Sequence, residues 1–308
     1  MYFLITVDTE GDNLWNWHEG QTITTENTLF IPRFQSLCEQ YGFVPTYLTN
    51  YEMAMDSRWV DYGRRKARDG KCEIGMHLHA WNTPPEYMLQ NKYGGNPYIT
   101  EYPDEVVDKK VSTMMDLLRN RFEMDIISHR AGRWATNKTY FRNLTKHGIQ
   151  IDCSVAPGLD LSNLPGRMKN VGSDYSKELH RVYYIADNLL EIPMTTGIVR
   201  WLPGEGSIRS RIRTLFLGDP LWLRPIKGNK EMEILTEWIR KKTPDSYLEF
   251  MVHSSELMPG GSPYTRTSEQ CEHFYTIIEK FFAYVSELNY QGCSLSQFRH
   301  LYLDGELR

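Results

Sequence analysis

Residues 73–81 read EIGMHLHAW and place two histidines, His77 and His79, one residue apart in an apolar run. On a β-strand, residues two apart stand about 7 Å from each other on the same face, so both imidazoles could converge on one metal ion. On a helix the two side chains would face different directions. This segment alone leaves a second reading open, in which each histidine is structural and bonded to a backbone carbonyl or to water.

Other ionisable residues lie at the ends of apolar, β-rich runs elsewhere in the chain. In a parallel barrel, the carboxyl ends of the strands and the loops after them build the active site. One such residue alone can cap a helix or form a surface ion pair. Five predicted strands carry them, which predicts one shared site made of Asp8 and Glu10, His77 and His79, Arg130, Asp152, and His253.

The chain that must position these residues repeats a β/α unit. Four times a helical pattern ends at a glycine and a β-rich run begins at once, as in QYG followed by FVPTYLT. Glycine supplies the left-handed conformation that ends a helix, so each junction is a helix-to-strand turn. Seven or eight strands alternating with amphipathic helices indicate a parallel barrel or an open α/β sheet.

The hydrophobic periodicity also predicts the bounds of these elements. Predicted strands are 2–7, 43–49, 72–79, 126–131, 149–155, 190–195, 248–253 and a short run near Ser294, and predicted helices are 25–41, 57–69, 103–121, 137–147, 231–242 and 268–290. Residues 82–102 and 157–184 interrupt the pattern. We interpret them as loop insertions in a single domain spanning residues 1–308.

Composition argues against several classes of protein. A net charge of -4 with mixed signs is unlike a nucleic-acid binder or a general membrane-surface binder, which usually shows a basic excess. No stretch has the length of a membrane span. The five cysteines lie in apolar segments without metal-ligand spacing, so we expect reduced core residues. The opening MYFLITVDTEGD lacks the basic region and long apolar run of a signal peptide, and we expect a cytoplasmic location.

In their order along the chain, these residues resemble the NodB-homology polysaccharide deacetylases, carbohydrate esterase family 4. The T-x-D-D motif of that family is similar to TVDT at residues 6–9, and its first histidine motif to EIGMH ending at His77. Its arginine motif is similar to HRAGRW, its fourth motif to IDCSV and its late histidine motif to FMVHSS. The segments DTEGD and HLHAW resemble those of the WalW-like subgroup, which is linked to bacterial surface polysaccharide.

Two positions depart from the family pattern. Thr9 stands where the family has a metal-binding aspartate, and Trp81 stands where its second histidine falls. Strand alternation offers Glu10 and His79 as replacements, with Asp12 as an alternative to Glu10 if the chain turns sharply at Gly11. A descendant of the family that has lost its metal is a further alternative.

The resemblance implies a distorted (β/α) barrel of about seven parallel strands that holds one divalent metal ion. Glu10, His77 and His79 are the expected ligands, with zinc as the expected metal and iron, manganese or cobalt as alternatives. By resemblance, Asp8 is the base, Arg130 orients Asp8, and His253 is the acid, held by a carboxylate such as Asp152.

The implied activity is that of a hydrolase acting on C–N (non-peptide) bonds, which removes acetyl groups from a carbohydrate or surface-glycan precursor. Alternatives are another amide hydrolase on the same scaffold and a metal-free glycan-binding protein. Trp81, Arg133 and Trp134 are expected to line the sugar site, although the tryptophans could equally be barrel packing. The oligomeric state is not indicated.

One basic segment stands apart from these motifs. Residues 207–230 carry several arginines and lysines, which could bind an anionic glycan or phosphate or could form a solvated helix face.

Overall fold

The computed structural model describes residues 1–168, 172–201, 203, 207–243 and 247–305, and its largest element is a curled, mostly parallel β-sheet. Residues 169–171, which belong to the second predicted insertion, lie outside the described residues. The strands are β1 (Tyr2–Thr9), β2 (Thr46–Thr49), β3 (Glu73–Leu78), β4 (Ser128–Ala131), β5 (Ile151–Asp152), β6 (Tyr183–Ala186), β7 (Leu189–Glu191), β8 (Thr196–Val199), β9 (Asp219–Trp222), β10 (Leu248–His253) and β11 (Gln291–Gly292).

The main sheet runs in the order β10, β1, β2, β3, β4, β5, β7, β6. The first seven of these strands are parallel to one another, and β6 joins the edge antiparallel to β7. The short strand β11 also pairs with β1, while β8 and β9 form a separate antiparallel pair. The described strands therefore form a half-barrel with seven neighbouring parallel strands, which confirms the predicted fold class.

Most of the helices cover the convex face of this sheet. They are α1 (Ile31–Gln40), α2 (Tyr51–Met55), α3 (Ser57–Arg68), α4 (Asp104–Phe122), α5 (Lys138–Lys146), α6 (Ile208–Leu217), α7 (Asn229–Lys242), α8 (Ser268–Glu287) and α9 (Leu295–Leu303). Several begin at a side chain that caps free backbone N–H groups, as Asn137 does for α5 and Thr267 for α8.

Strand alternation decides which side chains reach the concave face. On β1, Phe3, Ile5 and Val7 belong to the main hydrophobic core against the helices. The residues between them face the other way, where Leu4 joins a second apolar cluster with Ile151 of β5. Asp8 therefore stands on the concave face, and the next residue of that register, Glu10, follows at the strand end.

Several predicted elements differ from the observed ones. The strand predicted at 190–195 ends at Glu191 as β7, and β8 starts separately at Thr196. The run near Ser294 is the two-residue strand β11, after which Ser294 caps α9. Strands β6, β8 and β9 and helices α2 and α9 lie outside the predicted elements, because they are short or lack a clear apolar period. Helix α6 lies within the basic segment 207–230, for which a helix was one of the two interpretations.

The cysteines and helix lengths agree with the composition. All five cysteines are buried and none is in a disulfide. Among the described residues, no helix is both long enough and apolar enough to cross a bilayer.

Candidate metal centre and its surroundings

Three buried candidate ligands converge where β1 and β3 end. Glu10 follows β1, His77 lies on β3 and His79 directly follows its last residue. The Glu10 Oε2 atom lies 3.5 Å from Nε2 of His77 and 3.1 Å from Nε2 of His79. One ligand atom from each of the three residues lies within 4.8 Å of the others. The two histidines therefore lie on one face of the strand, as strand alternation predicts.

The donor set fits a divalent cation. Two imidazole nitrogens and one carboxylate oxygen are the ligands of many catalytic zinc sites, which keep a further position for water or substrate. Ligands about 2.0–2.1 Å from a tetrahedral ion stand about 3.3–3.4 Å from one another, which is close to the 3.1 and 3.5 Å found here. His77 also contacts the backbone oxygen of Arg130 through Nδ1 at 3.0 Å, and a proton on Nδ1 leaves Nε2 free as a ligand.

The electrostatics of the cluster favour positive charge. Burial raises the pKa of Glu10, but His253, His77 and His79 outweigh burial and hold this pKa below its usual value. For His77, burial lowers the pKa, and the nearby Asp8 and Glu10 carboxylates raise it above its ordinary value overall. A carboxylate that stays ionised and an imidazole that attracts a proton describe a cation-binding site.

Asp8 is held ionised beside this cluster by a buried arginine. Arg130 donates to Asp8 Oδ1 at 2.7 Å and to Thr6 Oγ1 at 2.8 Å, and its Nη2 also bonds Glu249. Burial raises the pKa of Asp8, but Arg130 and two histidines lower it overall, whereas burial raises the pKa of Glu249 to about 7. The second oxygen, Asp8 Oδ2, faces the ligands, 4.0 Å from His77 Nε2.

His253 faces the same point from β10. Its Nε2 lies 3.8 Å from Asp8 Oδ2 and 3.9 Å from Glu10 Oε1. On the other side of the ring, Nδ1 lies 3.0 Å from Arg224 Nη2 and 3.6 Å from Glu256 Oε2. Because the guanidinium can only donate, it places a lone pair on Nδ1 and the proton of the neutral ring on Nε2.

The predicted contact between Asp152 and His253 is wrong. Asp152 Oδ1 lies 2.6 Å from Nδ1 of His129 and accepts a bond from Ser154 Oγ at 2.8 Å. Its neighbours in sequence, Ile151 and Cys153, belong to the apolar cluster of the concave face, so alternation turns Asp152 toward the helices. The buried carboxylate beside His253 is Glu256 instead.

Asp12, the alternative to Glu10, lies apart from the ligands. Its side chain bonds Thr24 Oγ1 and accepts from the backbone N–H of Asn27. Thr9, where the family pattern has its aspartate, donates to the Val7 carbonyl at 3.0 Å and alternates away from Asp8. An acid at position 9 would point out of the site, and Glu10 provides one that points in.

The three residues expected to line a sugar site have different surroundings. Trp81 stacks on His79 with ring centroids 4.3 Å apart, and Trp134 lies 6.4 Å from the His253 ring. Arg133 instead places its guanidinium 3.8 Å from the Tyr98 ring centroid and donates to the Pro165 carbonyl at 3.0 Å. It thereby connects the two insertions rather than entering the ligand cluster.

Several neighbours of the site were not identified from sequence. Glu249 could have been found as an acid on an apolar strand, four residues before His253 and therefore on the same face. Glu256 follows His253 at the spacing of a capping box. The remaining neighbours gave no local signal in the sequence, because their contacts are long-range. They are Arg224, Gly132 and Trp15, and the Trp15 ring lies 5.2 Å from the His253 ring.

Gly132 illustrates how tightly the site is packed. A Cβ at this position would lie 2.4 Å from His79 Cδ2 and 2.6 Å from the Leu78 carbonyl oxygen. The next two residues, Arg133 and Trp134, have φ angles of 57° and 53°. Backbone strain of this kind concentrates at functional sites, and here it lies against a candidate ligand.

Comparison with known proteins identifies the fold. The sequence matches no protein-family model and no curated protein. Among solved structures, a protein assigned as a polysaccharide deacetylase from Mycobacterium smegmatis is similar over 100% of this chain and 92% of its own, with a TM-score of 0.58 at 14% identity.

Two glucan-processing enzymes share the same architecture. The 4-alpha-glucanotransferase of Thermococcus litoralis has a TM-score of 0.55 at 13% identity over 97% of this chain and 40% of its own. A GH57 branching enzyme from Thermococcus kodakaraensis has a TM-score of 0.53 at 10% identity over 98% of this chain and 71% of its own. These likenesses show the fold alone, and the side chains of the site must decide between the chemistries.

Proposed function

We propose that this chain is a metal-dependent hydrolase that removes acetyl groups from a carbohydrate or glycoconjugate. The observation that carries the proposal is the convergence of Glu10, His77 and His79 on one point, with Asp8 and His253 beside it. The deacetylase-like fold supports the same conclusion. The two carboxylates of the site are already engaged, Asp8 by Arg130 and Glu10 by the two imidazoles, which distinguishes this site from a glycoside-cleaving site, where a pair of carboxylates flanks the scissile bond.

The cation would be held by Glu10, His77 and His79. When bound, such a cation polarises an acyl carbonyl and lowers the pKa of the attacking water. The uncharged state of His79 suits this role, because burial lowers the pKa of its imidazole. Zinc is the metal we expect, with iron, manganese and cobalt as alternatives.

The other residues provide proton transfer. Asp8 Oδ2 takes a proton from water as the water oxygen bonds to the acyl carbon, and Arg130 keeps Asp8 ionised for this step. As the acyl C–N or C–O bond breaks and acetate is released, His253 serves as the acid by donating its Nε2–H to the leaving nitrogen or oxygen. Its Nε2 then takes the proton held by Asp8 Oδ2, 3.8 Å away, so that both residues return to their starting states. Arg224 holds His253 in the orientation that points Nε2 at the site, and Glu256 fixes both by accepting from Arg224 Nη2 at 2.7 Å and from the His253 backbone N–H at 2.8 Å.

Aromatic side chains around the site suit a sugar. Trp15 contacts His253, Trp81 covers His79, and Trp134 packs against Trp222 with centroids 5.1 Å apart. Indole faces pack well against the apolar faces of pyranose rings, whereas a general amide would not require them. These tryptophans favour a carbohydrate substrate over a cyclic amide.

Acetate release tests the proposal. The purified full chain, loaded with zinc, cobalt or manganese, should release acetate from N-acetylated or O-acetylated oligosaccharides and should lose this activity on chelation. Hydrolysis of cyclic amides alone would favour the second enzyme class. Binding of oligosaccharides without any bound metal would favour the glycan-binding alternative.

A further inference from the structure

Helix α6 turns an apolar stripe to solvent. Ile208, Ile212, Leu215 and Phe216 are 76, 50, 43 and 66% exposed, and their spacing places them on one side of the helix. In the described structure, the side chain that α6 buries is the polar Thr214. A surface helix normally buries its apolar face, so this helix has the reverse orientation and leaves an interaction surface unoccupied.

Arginines flank the stripe on both sides. At about 100° per residue, Arg209 lies along one edge of the stripe and Arg211 along the other. Neither is in a described ion pair, whereas Arg213 pairs with Asp219 at 3.6 Å. The helix, IRSRIRTLFL, contains no acidic residue. Although the whole chain carries a net charge of -4, this surface is locally cationic.

The helix is carried on a hairpin whose other end packs beside the site. It connects β8 to β9, and at the opposite end of the hairpin Trp222 pairs with Thr196 and packs on Trp134. Each strand has four residues, so the helix stands about 10 Å further out than Trp222. Whatever α6 binds is therefore held close to the mouth of the candidate metal centre.

We propose that α6 docks this protein on the surface of an anionic lipid bilayer. The stripe of Ile208, Ile212, Leu215 and Phe216 inserts at the boundary between headgroups and acyl chains, and Arg209 and Arg211 contact lipid phosphates. An apolar face bordered by cationic side chains is the pattern of helices that lie in a membrane interface. Arginine stems can extend along the stripe while their charged ends stay at headgroup level.

Charge argues for lipid over a second copy of this chain. Packing of two such stripes face to face would bring the flanking arginines of both helices together, and the helix has no acid to pair with them. An anionic bilayer offers apolar and negatively charged groups side by side. The proposal stands independently of the hydrolase assignment, since it uses none of the residues of that site.

Vesicle flotation with the full chain tests the proposal. The protein should float with vesicles of phosphatidylcholine and phosphatidylglycerol, should stay behind with phosphatidylcholine alone, and should be released by salt. Phe216→Glu should weaken binding by about tenfold or more. Replacing Arg209 by Gln should weaken it roughly fivefold. Leu303→Glu is the matched control, because Leu303 is 47% exposed on α9 and should leave binding unchanged.

Contrary outcomes are equally specific. Equal flotation with both vesicle types, or flotation of Phe216→Glu at the wild-type level, overturns the proposal. A concentration-dependent dimer that Phe216→Glu abolishes, without any binding to vesicles, would assign the stripe to a second copy. Thermal unfolding checks that each variant is folded, and Leu215→Glu serves as a second test if Phe216→Glu is not.

Discussion

Two buried networks on opposite faces of the same sheet contain the same kinds of residue. They differ in which ring nitrogens and carboxylate oxygens they leave available to a ligand. On the concave face, the site network consists of Asp8, Glu10, His77, His79, Arg130 and His253. On the convex face, the outer network consists of Asp152, His129, Tyr140, Ser154 and Glu191. Both contain a carboxylate within 4 Å of an imidazole.

The outer network satisfies its own histidine. His129 lies 2.6 Å from Asp152 through Nδ1 and 2.7 Å from the Tyr140 hydroxyl through Nε2, so both ring nitrogens are used. In the site network, Nε2 of His77 and Nε2 of His253 lie 4.0 and 3.8 Å from Asp8 Oδ2, and Nε2 of His79 lies 3.1 Å from a carboxylate oxygen of Glu10. A histidine with both nitrogens satisfied stabilises the fold, whereas converging free atoms indicate a ligand site.

The largest effect on acetate release should come from removing the proposed base, Asp8. Asp8→Asn should lower acetate release toward the upper end of about 10²- to 10⁴-fold, because the amide cannot accept the proton of water. Metal content should persist, since the amide keeps its bond to Arg130. The matched control is Asp12→Asn, which changes an acid outside the ligand cluster. Loss of metal from Asp8→Asn would show that Asp8 is a ligand, and loss from Asp12→Asn would return Asp12 to the ligand set.

Removal of the proposed acid should rank next. His253→Ala should cost about 10²- to 10⁴-fold in rate with metal retained. Glu256→Gln should cost less, because Arg224 still contacts the ring, and its loss should appear in kcat rather than in KM. Steady-state kinetics on one amide substrate measures both variants. Wild-type turnover by His253→Ala would remove His253 from the mechanism.

A smaller effect is expected from crowding a ligand without removing it. Gly132→Ala places a methyl group against the His79 ring and should lower metal affinity by about 10- to 100-fold, the usual cost of disturbing a ligand's support. Competition with a chelator measures this affinity. Gly260→Ala is the control, because nothing lies within 4 Å of its Cβ position, although its φ of +82° makes it strained. Equal affinity in wild type and Gly132→Ala would mean that His79 is not a ligand.

The outer network should affect stability and leave the rate per folded molecule unchanged. Asp152→Asn should lower the free energy of unfolding by about 2–3 kcal/mol, the worth of a hydrogen bond to a charged group. Denaturant unfolding measures this loss. A hundredfold fall in the rate of folded Asp152→Asn would restore the role predicted for it from sequence.

The pH dependence of stability follows from the pair formed by His129 and Asp152. Burial lowers the pKa of His129 below its ordinary 6.5, so the folded protein binds fewer protons than the unfolded chain. This contribution is present above pH 6.5 and is lost as the pH falls below it. Asp152 also has a lowered pKa, in spite of burial, because His129 bonds its carboxylate, and its contribution is lost below about pH 3.8. Wild-type stability should therefore fall on acidification. In Asp152→Asn the loss below about pH 3.8 should disappear, whereas the loss below pH 6.5 should persist or grow, because Asp152 raises the pKa of His129.

The sequence predicted what depends on local periodicity. The last parallel strand has the predicted bounds, 248–253, and the shared face of His77 and His79 follows from alternation alone. Which face of a strand is concave is a tertiary property, and β5 has only two residues, so Asp152 was assigned to the wrong side. The contact of Arg224 with His253 joins residues 29 apart, which are separated by α7 and most of β10. No local pattern encodes such a contact.

The ligand set is tested most directly by locating a metal in crystals of the purified protein by anomalous scattering, together with elemental analysis. We expect one ion per chain, about 2.0–2.2 Å from Nε2 of His77, Nε2 of His79 and a carboxylate oxygen of Glu10 if the metal is zinc. His77→Ala should bind none. An ion bound elsewhere, or a protein that stays metal-free after incubation with zinc, cobalt, iron and manganese, would contradict it.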